Sequence, residues 1–131
     1  MDELRKKGLE KMNEVYGWEM PDMPGEYFAL TVDHLFGTIW SRPGLSMRDR
    51  RMMLLGVLAA QGMDELLEVQ GNAILHNEEM TREELREIAI FLTQYVGWPR
   101  GSQFNNLVED RVRQHKGKGS QQDFPGPKAE K

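Results

Sequence analysis

Few side chains in this sequence could move a proton near neutral pH. They are three histidines, His34, His76 and His115. There is no cysteine, so a thiolate nucleophile, a thiol redox relay and a disulfide are all excluded. The histidines lie far apart and show no His-x3-His spacing, so no metal site is expected. His34 reads as a partly buried helix residue. His76 reads as a cation at a helix end, where it suits the dipole.

Other residues could bind rather than transfer protons. Arg50 and Arg42 are cations that could clamp a carboxylate through two parallel hydrogen bonds. Asp33 could act as an acid or hold another side chain. Gln70 and Gln94 are polar residues on otherwise apolar helices, and each could line a pocket. Trp40 and Trp98 are expected to pack the core and to wall a pocket.

The elements that must carry these residues are helical. Leu4, Leu9, Met12 and Val15 recur at helical spacing from Asp2 to about Val15, and Gly17 ends the run. Pro21 and Pro24 make the next stretch a loop. A second helix is expected from Phe28 to Trp40 and a third from Ser46, with Asp49 completing a partial capping box. Met52 to Ala60 is apolar all round, which marks a buried or interfacial helix. Gly62 ends it, and Asp64 is expected to cap a fourth helix to about His76. Thr81 and Glu84 form a capping box for a fifth, with Leu85, Ile88, Ala89, Leu92, Tyr95 and Val96 on one stripe. Gly97 and Pro99 should delay a sixth helix until about Gly101, from where it runs to Gln114.

This predicts an all-α, six-helix fold: one domain over 1–115 and a disordered tail over 116–131. No apolar run approaches the roughly 20 residues that span a bilayer. The net charge of −4 gives no electrostatic case for nucleic acid. No membrane partner is expected, and the charged N-terminus points to the cytoplasm.

Two stretches carry a family resemblance. The first is Phe36-Gly37-Thr38-Ile39-Trp40-Ser41-Arg42-Pro43-Gly44-Leu45 followed by Arg50. The second is Thr81-Arg82-Glu83-Glu84-Leu85 continuing to Tyr95-Val96-Gly97-Trp98-Pro99. Together they resemble the carboxymuconolactone decarboxylase family, within the alkylhydroperoxidase D-like superfamily. The resemblance covers about residues 28 to 112. It implies a helical fold built around a helical hairpin, assembled into homo-trimers or homo-hexamers.

The resemblance also implies chemistry. Thiol peroxidase members use two cysteines and a histidine; the cysteine positions here fall near Met63 and Leu66, so that activity is excluded. Decarboxylase members depend on a histidine, at whose position this chain carries Gln70. A second histidine of many relatives is replaced by Phe91. The implied function is a cofactor-free lyase or isomerase on a small carboxylated lactone or related cyclic acid. The alternative is a non-catalytic member that keeps a ligand-binding or assembly role. The expected site has Gln70, Arg50 and Asp33 as its chemical residues, with Trp40, Arg42, Phe91, Gln94 and Trp98 around the substrate.

Overall fold

In a computed structural model, residues 2–117 are described, with side chains to Gln114. They form α1 (Glu3–Tyr16), α2 (Glu26–Ala29), a π-helix (Leu30–Ile39), α3 (Met47–Gln61), α4 (Asp64–Asn77), α5 (Arg82–Val96) and α6 (Trp98–Gly117). The fold is all-α. The chain divides into two compact units, residues 1–50 and the residues from Arg51 on. The expected tail lies, beyond Gly117, outside the described residues.

The first unit is a hairpin of α1 against the π-helix. Asp2 caps α1 through its carboxylate, and Gly17, at φ 85°, ends it. Met12 and Val15 pack on Val32 and Phe36 to make a small core. Gly8 permits the close approach: a Cβ there would lie 2.1 Å from the Val32 carbonyl oxygen. The sequence reading anticipated an α-helix from Phe28. Instead, one α-turn widens into a π-helix whose buried residues are Val32, Phe36 and Gly37. The hydroxyls of Thr38 and Ser41 donate to the carbonyls of Asp33 and Phe36, five residues back.

The second unit is built from α3 to α6. Leu55, Leu58 and Ala59 of α3 meet Leu67 and Ile74 of α4. Leu85 and Ala89 of α5 join them, as do Phe104, Val108 and Val112 of α6, spaced i, i+4, i+8. Thr81 and Glu84 form the full capping box at the start of α5. Arg86 and Glu109 tie α5 to α6 through two hydrogen bonds of 2.8 Å.

Two helix boundaries differ from those the sequence predicts. Asp64 does not cap α4; it is the first helical residue, where its negative charge still suits the dipole. Pro99 does not delay α6, which begins at Trp98. A proline in the first turn lacks only an N–H that has no helical partner there. Arg51, the residue just before the apolar stretch Met52 to Ala60, sits on the buried stripe of α3.

Candidate functional site

The two units place the sequence-selected residues in separate groups. In the first unit, Asp33 is gripped by Arg5, with Nε 2.7 Å and Nη2 3.3 Å from its two oxygens. Arg5 also bonds Asp22 at 2.8 Å. The Arg5 hydrogen bond holds the Asp33 carboxyl below its ordinary range, and the two form an ion pair. Arg50 donates to the carbonyl of Leu45, closing the turn before α3. Arg42 is exposed in that turn. Trp40 stacks on Phe36 with ring centroids 6.2 Å apart, as a core residue.

In the second unit, Gln70 is buried at 5% exposure. Its Oε1 accepts a hydrogen bond of 2.6 Å from Nη1 of Arg51. Arg51 is wholly buried, at 0% exposure. The other edge of its guanidinium meets Glu79, with Nε–Oε1 at 2.9 Å and Nη2–Oε2 at 2.8 Å. Asn77 donates to the same carboxylate at 3.0 Å. A guanidinium has only donors, so the Gln70 amide is fixed with its oxygen inward. What Gln70 can still offer is its Nε2–H donors.

Phe91, Gln94 and Trp98 lie toward the end of α5 and the start of α6, and all three are exposed. Phe91 contacts Tyr95 with ring centroids 5.3 Å apart. Gln94 and Trp98 come together on a groove of about 270 Å³ between α5 and α6. Ile90 and Thr93 complete the α5 wall; Ser102, Asn105 and Asn106 form the α6 wall, spaced i, i+3, i+4 on one face. Gly101 floors the groove, because a Cβ there would lie 2.1 Å from Thr93 Oγ1. Gln94 donates from Nε2 to the Ile90 carbonyl at 3.0 Å. A second crevice, of about 20 Å³, is an apolar seam in the core.

Sequence reading passed over Arg51, Glu79 and the α6 wall. For Arg51 the signal was present: it precedes Leu55, Leu58 and Ala59 by four, seven and eight residues, on their buried stripe. Its neighbour Arg50 lies off that stripe.

Among the described residues, no cluster of His, Asp and Glu is arranged to hold a metal ion. No described helix is long and apolar enough to cross a membrane. The described residues are helices and their connecting loops, with a buried Arg51–Glu79–Gln70 cluster in the second unit and a groove between α5 and α6 that none of these three residues lines. Residues 25–110 match the carboxymuconolactone decarboxylase family, and the chain belongs to it. It is 29% identical over 118 residues to a 4-carboxymuconolactone decarboxylase of Acinetobacter baylyi, covering 83% of this chain and 87% of that one. It is 30% identical over 112 residues to a nitrosuccinic acid decarboxylase of Metarhizium robertsii, covering 75% and 76%. No solved structure matches.

Proposed function

We propose that this chain is a decarboxylase that acts without an organic cofactor on a small carboxylated acid, a carboxylated lactone or a close relative. The observation that carries the reading is a shared activity. Both relatives are named as decarboxylases, and the two likenesses cover 83% and 75% of this chain. The family match also contains Arg51, Gln70, Glu79 and the whole groove.

Loss of CO2 leaves an electron pair on carbon. It needs an adjacent electron sink in the substrate and, afterwards, a proton. Gln70 does not titrate, so it supplies oriented hydrogen bonds and the proton comes from water. Arg51 and Glu79 hold that amide in place. We further propose that the protein works in the cytoplasm as a homo-trimer or homo-hexamer. The support is the apolar surface left on α3 and α5: Met53, Val57, Ile90 and Phe91 are each at least half exposed.

One observation favours the second reading, a member that binds or assembles without catalysis. Gln70 stands where decarboxylase relatives are expected to carry histidine, and it is held in an ion-pair cluster. The discriminating test is an ultraviolet assay of the purified chain with 4-carboxymuconolactone and with nitrosuccinic acid. Turnover of either supports the lyase. Saturable binding without turnover supports the second reading.

A further inference from the structure

We propose that Arg51 is a positioning residue that fixes the hydrogen-bond polarity of position 70: the side chain there must accept from the guanidinium, so it meets a substrate only as a neutral N–H donor. The inference deepens the decarboxylase reading above and rests on it for the kind of substrate. It says which part of a small acid residue 70 serves, namely an acceptor oxygen of the carbonyl or nitro kind that takes up the electron pair.

The guanidinium is held against turning away from Gln70, because its other edge is clamped. Nε and Nη2 of Arg51 bond the two oxygens of Glu79 at 2.9 and 2.8 Å. Asn77 donates to that carboxylate at 3.0 Å. The backbone sets up the clamp. Glu78, just after α4, has φ 56° and is the one non-glycine residue with positive φ among the described residues. That left-handed step turns the chain back, so the Glu79 N–H donates to the Ile74 carbonyl at 3.0 Å and the Glu79 carboxylate returns to α3. Nη1 of Arg51 is then directed at α4, where Oε1 of Gln70 lies 2.6 Å away.

The consequence follows from donors and acceptors. A guanidinium has donors only and stays charged. Arg51 and Gln70 are both buried, so an N–H turned toward Nη1 would set two donors face to face out of water. Glutamine meets the rule with its oxygen inward and Nε2 as the remaining donor. Histidine would meet it only as the neutral ring, one nitrogen accepting from Arg51 and the other carrying the N–H. A protonated ring would present a donor to the guanidinium. The charges of Arg51 and Glu79 offset each other, so the direction of the hydrogen bond sets the polarity. Arg111 of α6 reaches α4 at Asn72, at 2.9 Å, about 200° around the helix from residue 70.

The test places other groups at position 70 of the full chain, as Gln70→His and Gln70→Glu, with melting curves to show that each folds. Nitrogen-15 NMR of labelled histidine, with wild type to assign the native three, reads the new ring. It should be a single neutral tautomer at about pH 6, where an ordinary histidine is mostly protonated. Adding Arg51→Met and Glu79→Met removes both ions, and the preference for one tautomer should then be lost. A protonated ring at that pH, or the same single tautomer with and without Arg51, would overturn the positioning role. Kinetics test the donor. Glutamate has the same shape as glutamine but only acceptors when ionised, so kcat/KM on the acid that the wild type turns over should be at least about tenfold lower in Gln70→Glu than in Gln70→His. Equal values would overturn the donor claim. A wild type inactive on both 4-carboxymuconolactone and nitrosuccinic acid overturns the decarboxylase reading and the donor's part in it; the tautomer measurement decides the role of Arg51 in either case.

Discussion

Nη1 of Arg51 lies 2.6 Å from Oε1 of Gln70, and both side chains are buried. The polar centre of the second unit is therefore a charge network in which Gln70 and Asn77 of α4 are neutral members. Arg51 and Glu79 neutralise each other, and Gln70 takes the remaining edge of the guanidinium.

Removing one ion of this pair should be far worse than removing both. Arg51→Met strands the Glu79 carboxylate, which is 8% exposed. Breaking a buried pair costs about 3–5 kcal/mol, whereas an apolar replacement of both ions is often neutral. Urea unfolding of Arg51→Met, Glu79→Met and the double variant should show strong coupling. Additive losses would mean that the two charges do not depend on each other.

Gly101→Ala should destabilise the second unit. The added Cβ would lie 2.1 Å from Thr93 Oγ1 and 2.8 Å from the Thr93 Cα. The hydroxyl can turn away, but the backbone cannot, so α5 and α6 must separate. Overpacking of this kind costs about 1–3 kcal/mol. Thr93→Ala in the same chain should recover part of the loss. A melting temperature equal to wild type for Gly101→Ala would contradict the close contact.

Acid should weaken the fold through Asp33 and Glu109. Hydrogen bonds from Arg5 and Arg86 hold these carboxyls below their ordinary values of 3.8 and 4.5. Folded pKa values below the unfolded ones mean that the folded chain binds fewer protons. Their contribution is thus fully present above the ordinary values and is lost as pH falls through the lowered ones. Arg5→Met and Arg86→Met should each flatten the fall in stability below about pH 5. An acid slope identical to wild type in both variants would show that other groups govern it.

Much of the architecture was legible because it is local. Thr81 with Glu84 announced the start of α5, and the stripe from Leu85 to Ala89 announced its buried face. The π-helix was not legible, since Val32, Phe36 and Gly37 fit a helical stripe without revealing its wider turn. The site was read less well for a physical reason. A polar residue on an apolar helix marks Gln70 as unusual, but its partner Arg51 lies 19 residues away, and Glu79 joins the cluster only through Arg51. In the sequence Gln94 and Trp98 carry no sign of a shared groove, because the α6 amides that line it with them look like ordinary solvated residues. Arg50 stands out by its place after the turn, and it closes that turn through the Leu45 carbonyl.

The central claim is the release of CO2 from a small acid. Its most direct test is mass-spectrometric detection of labelled CO2 from 4-carboxymuconolactone and from nitrosuccinic acid, each carrying carbon-13 in the departing carboxyl. A decarboxylase should release labelled CO2 in step with loss of one acid, at a rate that rises with protein concentration. Release at the protein-free rate for both acids, with the chain folded, would contradict it.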